Sequence, residues 1–309
     1  MQTKPSPMTW PQTGIFALGD AAHLFLEFSK LPSTSEHVLV QAAANLHEPR
    51  TTVGGMNLVT GFRPELWRAV APGDTPSDAR AFDTPIVGPD GFTMPATQAD
   101  LWLWMAGATY DILWDEGRDV IESFKTIATL ERRLTGWAYR HSRDLTGFED
   151  GTENPSLMEA PDVALVPPDR PGAGASILLF QQWPHQESWL KLSASEQERA
   201  MGRTKRDSVE FEGERVTPDS HVSRAKDVVD GVERDIFRRN VPYGDVVDYG
   251  TIFVGFSCEQ SRLQRMLERM AGTEDGVRDA LTRYTKPVTG AYYVVPSMTA
   301  LTRFATKTS

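Results

Sequence analysis

The sequence predicts an α+β protein in which one strand-to-helix unit occurs twice. WLWMAGATYDILWDEG in the first half and IFVGFSCEQSRLQRMLERM in the second both run from an apolar strand into an amphipathic helix, although few residues are identical. Each half also opens on a strand-like segment, HLFLEFSK (23–30) and ASILLFQQW (175–183). A chain of 309 residues, 40% hydrophobic and 24% charged, is long for a single core but sufficient for two compact halves. The seam is placed near residue 140, giving halves of 1–140 and 141–309.

In chain order, HLFLEFSK alternates as a strand does and NLVTGF (57–62) is a second strand. DLWLWMAGA (100–108) is a third. It leads into YDILWDEGRDVIESFKTI, where Ile112, Val120, Ile121 and Phe124 give one apolar face. In the second half ASILLFQQW is followed by SASEQERAMG, whose leading Ser193 suits an N-cap. GTIFVGFS (250–257) then feeds EQSRLQRMLERMAG, with Leu263, Met266, Leu267 and Met270 on one face and Gly272 as the stop. AYYVVPS supplies the last strand. The Pro- and Gly-rich stretches 71–97 and 166–174 read as loops within each half.

Composition excludes several classes. A net charge of −10, with no basic run beyond GRTKR and FRR, argues against wrapping nucleic acid. Neither a secretory signal nor an apolar run near the ~18 residues of a membrane span is visible. The one cysteine, Cys258, cannot form an intrachain disulfide or a cysteine zinc cluster, which fits a reducing cytoplasm. At the end of an apolar strand it reads as buried filler.

Chemistry concentrates in three segments. LTGFEDGTENP (145–155) sets two glycines around Phe-Glu-Asp and closes on Pro, so the backbone must turn sharply. Its plain reading is a turn. Glycoside hydrolysis needs two carboxylates about 5–9.5 Å apart across a sugar, which sequence neighbours rarely supply. The second segment runs from WLKLSASEQERAMGRTKRDSVEFEG to TPDSHVSRAK and holds Arg203 and His221. A lone histidine there is ordinarily a surface residue. His23, His37, His47, His141 and His185 nevertheless have no comparable context, and no pair has the HExxH spacing of a zinc site. The third, ERDIFRRNVPYGDV (233–246), places Arg238, Arg239 and Asn240 before a Pro-Tyr-Gly turn and could be a solvated basic edge.

Taken together, GFEDGTENP, QERAMGR, SHVSRA, FRRNVPYG and VTGAYYVVPS resemble the dye-decolourising peroxidases of the compact bacterial kind. The motifs lie in the second half, while length and layout match across nearly the whole chain. The resemblance implies duplicated ferredoxin-like units, antiparallel sheets with peripheral helices, and haem b in the second half. It implies His221 as the axial iron ligand, Asp150 as the distal acid and Arg238 as the distal arginine, with Asn240 lining the same pocket. Arg203 would face a haem propionate, beside Gly151, Thr152 and Glu153 of the GTE run. Asp279 in GVRDAL is the candidate acid behind the axial histidine. Alignment of FRxN on Asn240 favours Arg238 over its neighbour Arg239.

The activity that the resemblance implies is reduction of hydrogen peroxide with oxidation of small organic donors such as dyes and phenols. A carboxylate can carry the peroxide proton from one oxygen to the other, and a fixed guanidinium stabilises the charge that develops. A haem-handling protein that stores haem or releases its iron is the alternative, and a haem-free binding module a third reading. Neither needs a distal acid. The family also commonly forms homo-oligomers. Some relatives carry a C-terminal extension for loading into encapsulin shells, which is not expected of a chain ending ALTRFATKTS.

Overall fold

The protein is seen in a computed structural model that describes residues 9–46, 50–51, 54–140 and 142–306; His47 and His141 lie outside them. The first half contains β1 (Ala22–Lys30), α1 (Glu36–Ala44), β2 (Gly54–Phe62), β3 (Leu101–Gly107), α2 (Tyr110–Phe124) and β4 (Ala128–Trp137). The second repeats the order with β5 (Ser176–Pro184), α3 (Ala194–Met201), β6 (Val241–Gly244), β7 (Tyr249–Ser257), α4 (Gln260–Ala271) and β8 (Ala291–Val295).

Strand pairing confirms a duplicated ferredoxin-like fold. The first sheet runs β4-β1-β3-β2 and the second β6-β7-β5-β8, the same arrangement within each repeat, and neighbours are antiparallel. Beyond the sequence reading, the two sheets also join edge to edge. β6 meets β4 through Tyr243 and Gly136, and β8 meets β2 through Val294 and Phe62, so the principal strands form one curled sheet closed on itself. Gly136 permits the first seam, because a Cβ there would stand 2.4 Å from Val241 Cγ1 and 2.7 Å from the Pro242 carbonyl oxygen.

Closure buries the sheet on both faces. Phe25, Trp102, Trp104, Phe180, Phe256 and Tyr293 fill the inside, with Phe25 and Phe180 centroids 5.4 Å apart and Trp102 and Phe180 5.6 Å apart. Such pairs add about 0.5–1.5 kcal/mol each beyond area burial. The helices cover the outside through Leu39, Leu113, Phe124, Leu263 and Leu267. This corrects the expectation of an alternating β1, in which Ala22 through Phe28 are all buried. Period-two exposure belongs instead to β4, whose Glu-Arg-Arg run disguised it as non-strand in the sequence.

Other departures are local. The apolar face of α2 centres on Leu113, Gly117, Val120 and Phe124, with Ile112 and Ile121 at its margins. The 71–97 stretch carries a 3-10 turn at Pro72–Asp74 and a hairpin of Ile86–Val87 with Thr93–Met94. Ser193 caps α3 in a reciprocal capping box with Glu196, and α3 and α4 stop at left-handed Gly202 and Gly272. Cys258 is buried, and burial pushes its thiol up.

Candidate functional site

A cavity of about 940 Å³, open to solvent at its mouth, lies on the outer face of the second sheet. Trp183 of β5 and Phe253 of β7 form one wall, and Met266, Leu267 and Met270 of α4 another. Its apolar lining, set with a few polar side chains, suits a cofactor. Gln181, fully buried on β5, lines the cavity with neither amide atom paired, and His185 Nδ1 is likewise unpaired. Unpartnered buried polar atoms of this kind mark a space built for an occupant.

His221 opens a short helix, His221–Ala225, absent from the sequence reading. Ser220 caps it by accepting from Ser223 N–H. The imidazole lines the cavity, and its Nδ1–H donates to Asp279 Oδ2 at 2.7 Å. Asp279 is fully buried. Its Oδ1 accepts from Leu281 N–H at 2.8 Å, while its own N–H donates to the Met270 carbonyl at 3.0 Å. The carboxylate therefore fixes tautomer and ring orientation, leaving Nε2 without a partner among the described residues and available as a ligand.

Arg224 holds this helix in place. Its guanidinium donates to both Asp275 oxygens at 2.7 and 2.9 Å and twice to the Arg269 carbonyl at the end of α4. Arg224→Ala is expected to cost about 2 kcal/mol, since bonds to charged groups are worth about 1.5–3 each and Asp275 is half exposed. A lowered urea midpoint with an unchanged slope would show it.

The segment 142–152 reaches the same cavity as His221. Asp150 lines the cavity, and its N–H donates to the Ser142 carbonyl at 2.8 Å. Gly151 follows at φ +80, which favours glycine, and Thr152 also lines the cavity. Arg238, at the end of the two-residue strand Phe237–Arg238, and Asn240, in the short link from it to β6, face the same space. Arg239 does not. It points inward, donating to the Ile15 carbonyl at 2.7 Å and lying 5.0 Å over Trp104, and burial lowers it to about 10.

Arg203 joins the rim of the cavity. It donates to Thr152 Oγ1 and, at 3.0 Å, to Glu210 Oε1, with Glu153 3.8 Å away. Glu153 lines only the adjoining surface recess, so of the GTE run Gly151 and Thr152 alone reach the main space.

Two residues escaped the sequence reading. Asn154 clamps the Arg238 backbone from both sides, its amide donating to the Arg238 carbonyl at 2.8 Å and its oxygen accepting from Arg238 N–H at 2.9 Å. The TENP string was the available signal. Asp144 also lines the cavity, and burial followed by the charge of Asp150 pushes its carboxyl up to about 6. No group of three or more metal-ligating side chains occurs among the described residues, and no helix there is long and apolar enough to cross a membrane.

Comparison with known proteins bears on this arrangement. Residues 141–300 match the family model described as Dyp-type peroxidase, C-terminal. The dye-decolorizing peroxidase of Mycobacterium tuberculosis is 32% identical over 276 residues, 82% of this chain and 81% of that protein. That of Brevibacterium linens is 31% identical over 249 residues, covering 78% and 67%. Among solved structures, a variant of Rhodococcus jostii RHA1 DypB in complex with heme superposes with a TM-score of 0.86 at 32% identity, covering 95% of this chain and 98% of that one. A putative dyp-type peroxidase from Shewanella oneidensis gives 0.87 at 27% identity, covering 96% and 99%.

Proposed function

Because the chain belongs to the dye-decolourising peroxidase family and is a haem peroxidase, we propose that His221 holds the iron of haem b and that Asp150 and Arg238 act together on hydrogen peroxide. The observation that carries this reading is one cavity lined by a carboxylate-backed histidine together with an acid and an arginine. The residues fit the group. The apolar walls suit a flat macrocycle, Nε2 of His221 is free to donate, and Arg203 with Thr152 offers a charged and a hydroxyl donor to a propionate at the rim.

Haem b, when bound, supplies the iron at which peroxide is reduced and the two single-electron oxidations of organic donors are coupled to it. The protein's residues do the rest. Asp279 orients His221 and raises its basicity as a ligand. Asp150 takes a proton from one peroxide oxygen and returns it to the other, directly or across a water. Arg238 stabilises the negative charge that develops, its backbone held by Asn154 so that the side chain cannot drift. Asn240 is fixed by accepting from Val254 N–H at 3.0 Å and narrows the same space. A carrier that only stores haem has no use for this pair.

An absorption spectrum of the pure protein before and after a stoichiometric dose of peroxide tests the reading. A Soret band that changes on peroxide and returns on adding a phenolic donor supports it; a band that ignores peroxide overturns it. Arg203→Leu is expected to reduce haem retention more than the reactivity of the haem that remains, measured as haem content after gel filtration. Normal content with slowed peroxide chemistry would move Arg203 to the peroxide side.

The division at residues 1–140 and 141–309, with haem in the second part, belongs to the same proposal. So do a cytoplasmic location, which a single buried cysteine suits, and a homo-oligomeric state, which light scattering would test.

A further inference from the structure

We infer that Asp144 is a second acid of this site, handing protons from an adjoining cavity to Asp150 as turnover consumes them. The inference rests on the reading of Asp150 as the proton carrier. Backbone register sets the geometry. Arg143 and Glu149 form a bridge pair, flanked by Asp150 N–H to the Ser142 carbonyl at 2.8 Å and Asp144 N–H to the Phe148 carbonyl at 3.0 Å. In such a hairpin Ser142, Asp144, Phe148 and Asp150 share one face, which makes Asp144 and Asp150 diagonal neighbours whose backbones stand roughly 7–8 Å apart, within reach of each other through a water.

Both acids line the main cavity, and both also line a second space of about 910 Å³ that reaches Tyr139 and His23. Asp144 is anchored through one oxygen only. Oδ1 accepts from Thr146 N–H at 2.9 Å and from the Thr146 hydroxyl, while Oδ2 has no partner among the described residues. A carboxyl held by one oxygen, with the other left for two adjoining spaces, is built to pass a proton between them.

The surrounding charges come from several elements. Asp144 feels Asp150 along the hairpin, His221 in the lining of the main cavity and Lys205 from the turn after α3, while Arg238 lines both spaces. Arg143 turns away onto the Gly147, Lys205 and Arg206 carbonyls, and Asp20, His23 and Arg239 border the second space. Burial and the Asp150 charge outweigh Thr146 and His221, so Asp144 titrates near 6. A proton is thus held below that pH and lost above it.

Reduction of one hydrogen peroxide to two waters takes up two protons and two electrons. The electrons come singly from two donor molecules, whose own protons leave to solvent. In each delivery the O–H bond of Asp144 breaks to a bridging water, which passes a proton of its own to Asp150, and Asp144 regains a proton from water in the second space.

Haem-loaded Asp144→Asn tests this, since asparagine keeps an Oδ1 for Thr146. In the parent, steady-state turnover should fall as pH rises through about 6, and pH-difference infrared spectra should show a protonated-carboxyl band titrating there. Asp144→Asn should lack the band and turn over at least about tenfold more slowly at acidic pH, less than the 10²–10⁴ typical of direct acid–base participation. It should also lose the pH limb, which Asp144→Glu restores. Persistence of band and limb in Asp144→Asn overturns the inference. So does disappearance of the band in Asp150→Asn, where it should instead survive and move to lower pH. The rate of the first reaction of Asp150→Asn with peroxide tests the Asp150 reading by itself.

Discussion

His221→Ala should fold normally and bind haem so weakly that gel filtration strips it. Removing an outer-shell partner of a metal ligand typically costs about 10–100-fold in affinity, so Asp279→Asn should fall in that range and loss of the ligand itself beyond it. The apolar walls still favour a macrocycle, which means residual binding of metal-free protoporphyrin should be nearly equal in parent and variant. Haem titration followed by absorption, with circular dichroism as the control for folding, measures both. A His221→Ala protein with full haem content and the parent spectrum would end the assignment. Equal losses for haem and metal-free porphyrin would trace the effect to the pocket and not to the iron bond.

The second large effect is expected on the distal side. Asp150→Asn and Arg238→Leu should retain haem while slowing the peroxide-induced change of its spectrum in stopped flow, by about 10²–10⁴-fold for the acid and about 10²–10³-fold for the charge. Because one proton transfer and one developing charge are shared, the double variant should fall short of the summed barrier increases. Strict additivity would separate their roles. Arg239→Leu is the control for register. It removes the bond to the Ile15 carbonyl and the contact with Trp104 but touches nothing in the main cavity, so it should lower stability and leave the peroxide rate as in the parent. If Arg239→Leu slowed peroxide and Arg238→Leu did not, the assignment would shift by one residue.

Much of this was legible in the sequence because the relevant signals are local. Ser193 and Glu196 are a capping box in any context, and α4 wears its apolar face at Leu263, Met266, Leu267 and Met270. What was not legible depends on partners distant in the chain. β4 is a strand because β1 pairs along its whole length, a fact that Glu131, Arg132 and Arg133 conceal. β1 is buried on both sides because the sheet closes, and nothing within 23–30 foretells closure. At the site, residues in a distinctive string such as GFEDG or FRRN could be picked out, and the structure brings Asp150, Arg238, Asn240, Arg203, Thr152 and His221 around one cavity. Asp279 stands 58 residues from His221 and meets it only in the fold. Asp144 was passed over because its significance lies in the hairpin register and in a shared face, neither of which its neighbours in the chain display.

The two seams of the curled sheet bear on how the protein avoids sticking to itself. A ferredoxin-like sheet standing alone ends in two strands whose outer N–H and C=O groups are unpaired, a template for any passing strand. In the first half those strands are β4 and β2, and in the second β6 and β8; each pair meets the other half, and among the described residues no principal strand keeps a wholly free edge. The seams themselves are narrow, one residue pair each, so their value lies less in hydrogen-bond energy than in occupying the edges. Either half released by a cut between β4 and β5 would regain two open edges, and it should aggregate or pair with its complement. The internal duplication thus solves for one chain a problem that a single copy of the unit could solve only by finding a second.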